Sequence, residues 1–504
     1  MRQLTGFFFA FILALNLQAQ DFDKLSEYVE NAMEPYDQVG MAIGILHKNE
    51  LVYAKGFGER VVGSGTPIDA NSVFALASVS KAFTACGIGL LVDEEKLDWD
   101  DPVIEHLPGF RLNDPYVTAH MSIRDLLCHR NGYNTFDGDL LWYHTRYSKE
   151  EILRRFSKLA PKHGFRSEYG YQNTMFIAAA LVIEEISGLT WEEFMEKRIL
   201  EPLGMEDSYS GFNKFNTGMN MDLNLAMPHV KKKSAPMTGF MNAAGAVGIS
   251  SSVNDLSKWA EMWVNQGEVD GETFLSKSSW NTITQAHTPM PVRTSEWEQG
   301  THFKAAALGW FTKDLHGVKV LHHSGGLPGY ILNFVVIPEK DLAIIVLTND
   351  ETILPFAMTN YIQEMYLLNE EPQDWAGKYL PFQENREKRA EEEEAKRLEE
   401  KDKKKKPTVS HEEMAGTYTD KMYGDATVEM EGKELIFTMQ PTQSMFTGTL
   451  EHWTGNTYRV EFIDPFLPAG YVTFYTDSHS KITHLKIDLP NPDFHFYNLE
   501  FERE

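Results

Sequence analysis

Between Arg386 and Lys406 stand ten basic and eight acidic residues with almost no apolar side chain, and Pro407 follows. Such a segment cannot bury enough surface to join a core, so a chain of 504 residues must build separate cores on either side of it. Because its charges nearly cancel, the segment reads as a solvated linker, helical in part, and not as a binding patch. The expected division is a processing segment at 1–19, a large domain at 20–372, a charged linker at 373–410 and a small domain at 411–504.

The processing segment is read from Arg2, an apolar run over 7–17, and Leu17-Gln18-Ala19 as a cleavage site with a small final residue. That run is too short to span a bilayer, and no cysteine lies beside the cut to take a lipid. The expectation is an exported bacterial protein, periplasmic or secreted, with no membrane insertion once the signal is removed. A formal charge of −26 argues against nucleic acid and anionic membranes as partners. No cofactor is expected, and no metal: neither a His-Glu-x-x-His nor a Cys-x-x-Cys spacing occurs. The only cysteines, Cys86 and Cys128, read as small core residues, with a disulfide as the alternative.

In the large domain, residues 39–46 and 51–57 form alternating runs joined at Lys48-Asn49-Glu50, an opening hairpin. Further strands are expected at 305–313, 318–323, 330–338 and 342–347, with a closing helix at 355–368. The long middle reads as helices and loops. This order predicts an α+β domain: one antiparallel sheet built from both ends, flanked by N- and C-terminal helices, with a helical subdomain inserted and the site at their junction. After the linker, 414–418, 427–430, 434–439, 457–462 and a hairpin around Ser478 alternate at period two, which predicts a small all-β barrel or half-barrel.

The chemistry concentrates at Ser78-Val79-Ser80-Lys81, at the start of an apolar helical run. Positions i and i+3 share a helix face about 5–6 Å apart, so the Lys81 amine can reach the Ser78 hydroxyl. A helix N-terminus also offers free N–H groups to an oxyanion. A second match, Ser478-His479-Ser480-Lys481, sits between two alternating runs and reads as a hairpin tip. Tyr171-Gln172-Asn173 precedes another apolar helix ending at Gly188. A phenol acts as a base near neutrality only if a nearby cation lowers its pKa, and Lys81 is the candidate. Finally, His323-Ser324-Gly325-Gly326 closes a strand-like run, where two glycines allow close approach of a ligand and the Gly326 N–H can oppose the Ser78 N–H across an oxyanion.

These motifs, in this order, resemble those of the penicillin-recognising serine hydrolases, most closely the branch holding class C β-lactamases, D-aminopeptidases and related esterases. The resemblance covers residues 21–370 and includes Leu107-Pro108-Gly109, Pro202-Leu203-Gly204-Met205 and Leu308-Gly309-Trp310. It implies a serine β-lactamase-like fold, Ser78 as acylated nucleophile, Lys81 and Tyr171 as proton carriers, Asn173 as a substrate contact, and 323–326 as the edge strand of the site. Which of Lys81 and Tyr171 is the base stays open. The small domain resembles the lipocalin-like module attached to many such hydrolases, and reads as a scaffold, lid or oligomerisation module.

Two positions depart from the family. Relatives usually carry Lys-Thr-Gly where this chain has His323-Ser324-Gly325, so a permanent ammonium is replaced by an imidazole mostly neutral at pH 7. That weakens a carboxylate anchor, which a β-lactam or a peptidoglycan C-terminus needs and an ester, an amide or a peptide with a free N-terminus does not; the resemblance implies an esterase or aminopeptidase ahead of a β-lactamase, on small-molecule or peptide substrates. The other is Asn131, where relatives usually have Ser. The expected function is an exported serine peptidase or esterase working through an acyl-enzyme. A β-lactamase or D,D-carboxypeptidase, and a non-catalytic penicillin- or peptidoglycan-binding protein, are the alternatives, and a homo-oligomer is compatible with all three.

Overall fold

The computed structural model describes residues 21–211, 223–237, 239–402 and 404–504. The expected signal segment lies outside them. The first body is organised by one antiparallel sheet made of β1 (Gly40–His47), β2 (Glu50–Gly58), β3 (Thr288–Met290), β4 (Lys304–Ala306), β5 (Phe311–Leu315), β6 (Val318–Leu327), β7 (Tyr330–Ile337) and β8 (Leu342–Thr348). Its order is β3-β4-β5-β6-β7-β8-β1-β2. The first strand pairs with the last, Met41 opposite Thr348, so the two ends of the domain meet in mid-sheet as the sequence predicts.

The helices that position the site are α1 (Phe22–Met33), α2 (Ser80–Asp93), α3 (Thr174–Ser187), α4 (Val253–Val264), α5 (Leu354–Leu367) and α6 (Trp375–Glu399). Strand alternation assigns them to faces. Met41, Ile43, Ile45, Ile344 and Val346 pack with Leu25 and Val29 of α1 and with Leu354, Met358 and Ile362 of α5. Ala42, Leu46, Phe334, Ile345 and Leu347 turn to the other face, into a core shared with α2, α3 and α4. With both faces covered, every residue of β8 is buried, which is why that strand reads as an unbroken apolar run.

Two expectations are corrected here. The single strand expected at 305–313 is a tight hairpin, β4 paired to β5 with Lys304 opposite Lys313. Gly309 makes the turn at φ +68°, and a Cβ there would collide with the Lys81 carbonyl, so packing against α2 breaks the strand. Ser78 does not open α2 either: it sits in the 3-10 turn Ala77–Val79, and the helix begins at Ser80. Ala77 takes φ +47°, a left-handed conformation costly for a residue with a Cβ, so the turn carrying the hydroxyl is held under strain by its surroundings.

The second body is a closed eight-stranded barrel of β9 (Gly416–Asp420), β10 (Gly424–Glu431), β11 (Glu434–Met439), β12 (Thr447–Thr454), β13 (Thr457–Val460), β14 (Gly470–Thr476), β15 (Ile482–Asp488) and β16 (Phe501–Arg503). Pairing of Tyr418 with Arg503 closes it. Met414, expected in a strand, ends the short helix His411–Met414, which Ser410 caps with a capping box. Strands β12 and β16 have no counterpart in the sequence reading. The decoy Ser478–Lys481 is the tip between β14 and β15, with Ser480 at φ +64°.

Much of the charged segment is helical. In α6 only Trp375, Ala376 and Gln383 are buried, the first two in the core under the sheet. Farther on, Glu394 meets Arg459 of β13 at 2.9 Å. The barrel is docked against the inserted helical region: Tyr143 donates to Asp464 at 2.9 Å, Tyr147 donates to the Tyr423 carbonyl at 2.6 Å, and the Tyr143 and Phe494 rings stand 4.2 Å apart. Among the described residues no single helix is long and apolar enough to cross a membrane.

Candidate active site

The turn at Ala77–Val79 holds Ser78 partly exposed at the floor of a cleft of about 570 Å³. One helical turn on, Lys81 is fully buried. Its Nζ donates to Ser78 Oγ at 3.1 Å and to the Ala246 carbonyl at 3.0 Å, and it lies 4.9 Å from the centre of the Tyr171 ring. Burial disfavours the charged amine and lowers its pKa to about 7, against a smaller upward pull from the Asp139 carboxylate. Near neutrality, therefore, a large share of Lys81 is a free base pointed at a hydroxyl.

Tyr171 enters from the loop before α3, its ring stacked 4.3 Å from His129 and its backbone N–H donating to Thr135. Burial pushes the phenol well above its ordinary pKa, and the neighbouring Ser78 offsets this only in part. The acidification by Lys81 expected from sequence is not what the electrostatics favour. An amine held near 7 exerts little charge, while desolvation acts on the phenol in full.

Asn173 is the N-cap residue of α3, yet its side chain does not cap the helix. Its Nδ2 donates to the Asp139 carboxylate at 2.6 Å, and its Oδ1 has no partner among the described residues. Asp139, which the sequence reading passed over, is buried and pushed up to about 7 by desolvation, with Asn173, Lys81 and the facing Trp142 indole opposing that shift. Its only sequence signal is the pair Asp137-Gly138-Asp139 amid aromatic residues. His129 was also missed in its role. Its Nδ1 accepts the Gln172 N–H at 3.1 Å, and burial drives its pKa well below normal, so it is a neutral brace behind Tyr171.

Strand β6 forms the opposite wall. Its pairing with β5 ends at His322, so among the described residues one edge of the strand has no neighbour in the sheet from His323 onward. His323 is buried, with Nδ1 2.6 Å from the Ser324 carbonyl. Burial and the nearby Lys81 lower its pKa to about 3, so it is neutral, as the sequence implies. That contact makes Nδ1 the protonated nitrogen and leaves Nε2 an acceptor without a partner among the described residues. The two glycines differ in purpose. A Cβ on Gly325 would strike the protein's own Leu76 carbonyl, so this glycine serves packing, whereas Gly326 is exposed, with Ile331 3.5 Å away as the nearest neighbour of such a Cβ.

Ser78, Tyr171, Asn173, His323, Ser324 and Gly326 all line this one cleft, with Lys81 behind Ser78 and Gly325 behind the strand. The barrel supplies part of the wall: Phe466, Asp493 and Phe494 face the same space, as do Glu351 and Arg386. Cys86 and Cys128 are buried free thiols in the core, so they form no disulfide. At the departing position 131, Asn131 is buried and its Oδ1 accepts the Tyr133 N–H at 3.1 Å, a local turn contact.

Comparison with known proteins agrees with this architecture. The Beta-lactamase family model matches residues 25–364, and a domain of unknown function, DUF3471, matches residues 400–503. The chain is 25% identical over 378 residues to unguisins hydrolase ungD of Aspergillus violaceofuscus, covering 70% of this chain and 66% of that one. It is 26% identical over 322 residues to penicillin-binding protein 4* of Bacillus subtilis, covering 60% of this chain and 66% of that one. In each case the match spans just under two thirds of the curated relative. Among solved structures, the octameric penicillin-binding protein homologue from Pyrococcus abyssi superposes with a TM-score of 0.59 at 23% identity, covering 95% of this chain and 99% of that one, a likeness of fold.

Proposed function

We propose that this chain, which belongs to the Beta-lactamase family, is a serine hydrolase that cleaves amide or ester bonds through an acyl-enzyme on Ser78. One observation carries the reading: a buried amine whose pKa is lowered to about 7 lies 3.1 Å from a hydroxyl that opens onto a cleft. Acyl transfer needs a base of that kind beside the nucleophile, with a pKa near the working pH.

In the proposed sequence, neutral Lys81 takes the Ser78 proton as Oγ bonds to the carbonyl carbon, and the electron pair moves to the carbonyl oxygen. The backbone N–H groups of Ser78 and Gly326 stabilise that oxyanion. As the C–N or C–O bond breaks, Tyr171, a neutral phenol, is placed to hand its proton to the leaving group and recover one from Lys81. Water then attacks the ester carbon while Lys81 takes a proton from it; as the carbonyl re-forms and the C–Oγ bond breaks, Lys81 returns that proton to Ser78 Oγ and the acid departs. Asn173 and the free edge of β6 hold the acyl chain.

The neutral His323 supports substrates lacking a carboxylate that must be anchored, in preference to β-lactams. That one relative is named a hydrolase and another a penicillin-binding protein is compatible with this ordering. Export is proposed from residues 1–19, and N-terminal sequencing of the mature protein tests it. A fluorophosphonate probe should label the native chain and not Ser78→Ala. A panel of p-nitrophenyl esters, aminoacyl anilides and a chromogenic cephalosporin ranks the substrates. Cephalosporin turnover far above the rest reverses the ranking, and stoichiometric acylation without release marks a binder.

A further inference from the structure

Two sets of aromatic rings line the cleft, and they differ in what covers them. On the barrel side Trp142, Tyr143 and Phe494 are 4%, 1% and 4% exposed and pack on one another and on Phe240. On the side of Tyr171, the rings of Phe136, Tyr169 and Phe311 line the same cavity and each is partly exposed, so apolar surface is left open there.

These three rings are grouped around the Tyr171 phenol. Phe136 stands edge-on to the Tyr171 ring at 5.5 Å, Phe311 lies nearly parallel to it at 6.3 Å, and Tyr169 meets Phe311 at 6.2 Å. Phe311 is the first residue of β5, so its ring sits where that strand ends its pairing with β6. Phe136 takes φ +65°, a left-handed conformation costly for a bulky residue, while its N–H donates to the Tyr171 carbonyl at 2.8 Å. That bond ties the strained residue to the segment carrying the phenol and keeps its ring at the cleft wall. The surface is also uncharged: burial holds the imidazoles of His322 and His323, 5.6 and 5.0 Å from the Phe311 ring, below their ordinary pKa, so neither offers a cation to an anionic group.

We propose that the leaving group of the substrate carries an uncharged aromatic ring, seated on Phe136, Tyr169 and Phe311. This inference rests on the hydrolase reading, in which Tyr171 hands its proton to the departing nitrogen or oxygen: a group released at that phenol lies against the rings that surround it. Aromatic pairs favour edge-on or offset contact at about 4.5–7 Å and gain affinity beyond their burial, so a flat ring is preferred here to a saturated ring of the same size.

Benzyl butyrate and cyclohexylmethyl butyrate differ in that ring alone, and the saturated ester is the more apolar, so burial by itself favours the latter. Binding to the Ser78→Ala protein, measured by ligand-observed NMR titration, should be at least about threefold tighter for the benzyl ester. Phe311→Leu should bring the two esters to about equal affinity. Because a change at Phe311 also risks the start of β5, Tyr169→Leu provides a second variant and should at least halve the preference. On the native chain kcat/KM should favour the benzyl ester in the same sense. Moving the ring to the acid part, as ethyl phenylacetate against ethyl cyclohexylacetate, should shrink the preference below about twofold. Equal or tighter binding of the saturated ester, no detectable binding of the benzyl ester, or a preference untouched by both variants overturns the proposal. So does a preference as large in the acid part. Fluorophosphonate labelling of the native chain reports separately on the nucleophile: ring-selective binding without labelling or turnover sinks the hydrolase reading and leaves the aromatic subsite standing.

Discussion

The Asn173 side-chain amide donates to the Asp139 carboxylate at 2.6 Å, so this N-cap residue is tied to Asp139 and does not cap its own helix. Asp139 therefore holds a cleft-lining side chain while its charge also bears on Lys81. Asp139→Asn should lower kcat/KM on a p-nitrophenyl ester by about tenfold to a hundredfold, given the usual worth of such hydrogen bonds to charged groups. It should also move the acidic limb of the pH profile downward, since loss of the carboxylate removes the charge that holds the Lys81 pKa up. An unchanged limb argues for a purely structural role.

Activity of the native chain should rise with pH through about 7 and then level off. The sign follows from Lys81: burial lowers its pKa to about 7, below which it is protonated and cannot accept the Ser78 proton. Because Lys81 and Asp139 influence each other, the limb belongs to the pair. Lys81→Arg, which stays charged, should cost about a thousandfold in acylation rate, measured by single-turnover release of p-nitrophenol. His323, held near 3, should add no inflection between pH 5 and 9.

Gly325→Ala should destabilise the domain by about 1–3 kcal/mol, since the new methyl group is driven into the Leu76 carbonyl and Leu332. Denaturant unfolding checks this. Gly326→Ala, one residue along, meets nothing closer than 3.5 Å and should leave the midpoint nearly unchanged.

Asp137→Ala should loosen the barrel. The fully buried Asp137 carboxylate accepts from Asn498 at 3.2 Å and pairs with His495 Nδ1 at 2.9 Å, so its removal orphans donors on the barrel side. A loss of about 1–3 kcal/mol is expected. Faster hydrogen exchange over 489–499, ahead of the sheet, is the signature; uniform protection there counts against it.

Much of the fold was legible because its signals are local. The hairpin of β1 and β2, the apolar run of β8 and the Gly188 stop of α3 are written in periods of two and 3.6 and in turn chemistry. The break at Gly309 was not, because its cause is the Lys81 carbonyl in another element. Closure of the barrel also escaped the sequence, since β16 is three residues long and carries no alternation of its own.

For the site, the amino acids at 78 and 81 sufficed to place an amine beside a hydroxyl, because backbone geometry sets the reach between positions three apart. The order of the motifs along the chain likewise marked Tyr171, Asn173 and 323–326. What they do to one another was decided only on folding. Desolvation draws the Lys81 amine toward neutrality and drives the Tyr171 phenol the other way, and Asp139 and Asp493 come to one cleft from distant segments. Burial and long-range proximity are properties of the packed chain, so no local spacing encodes them.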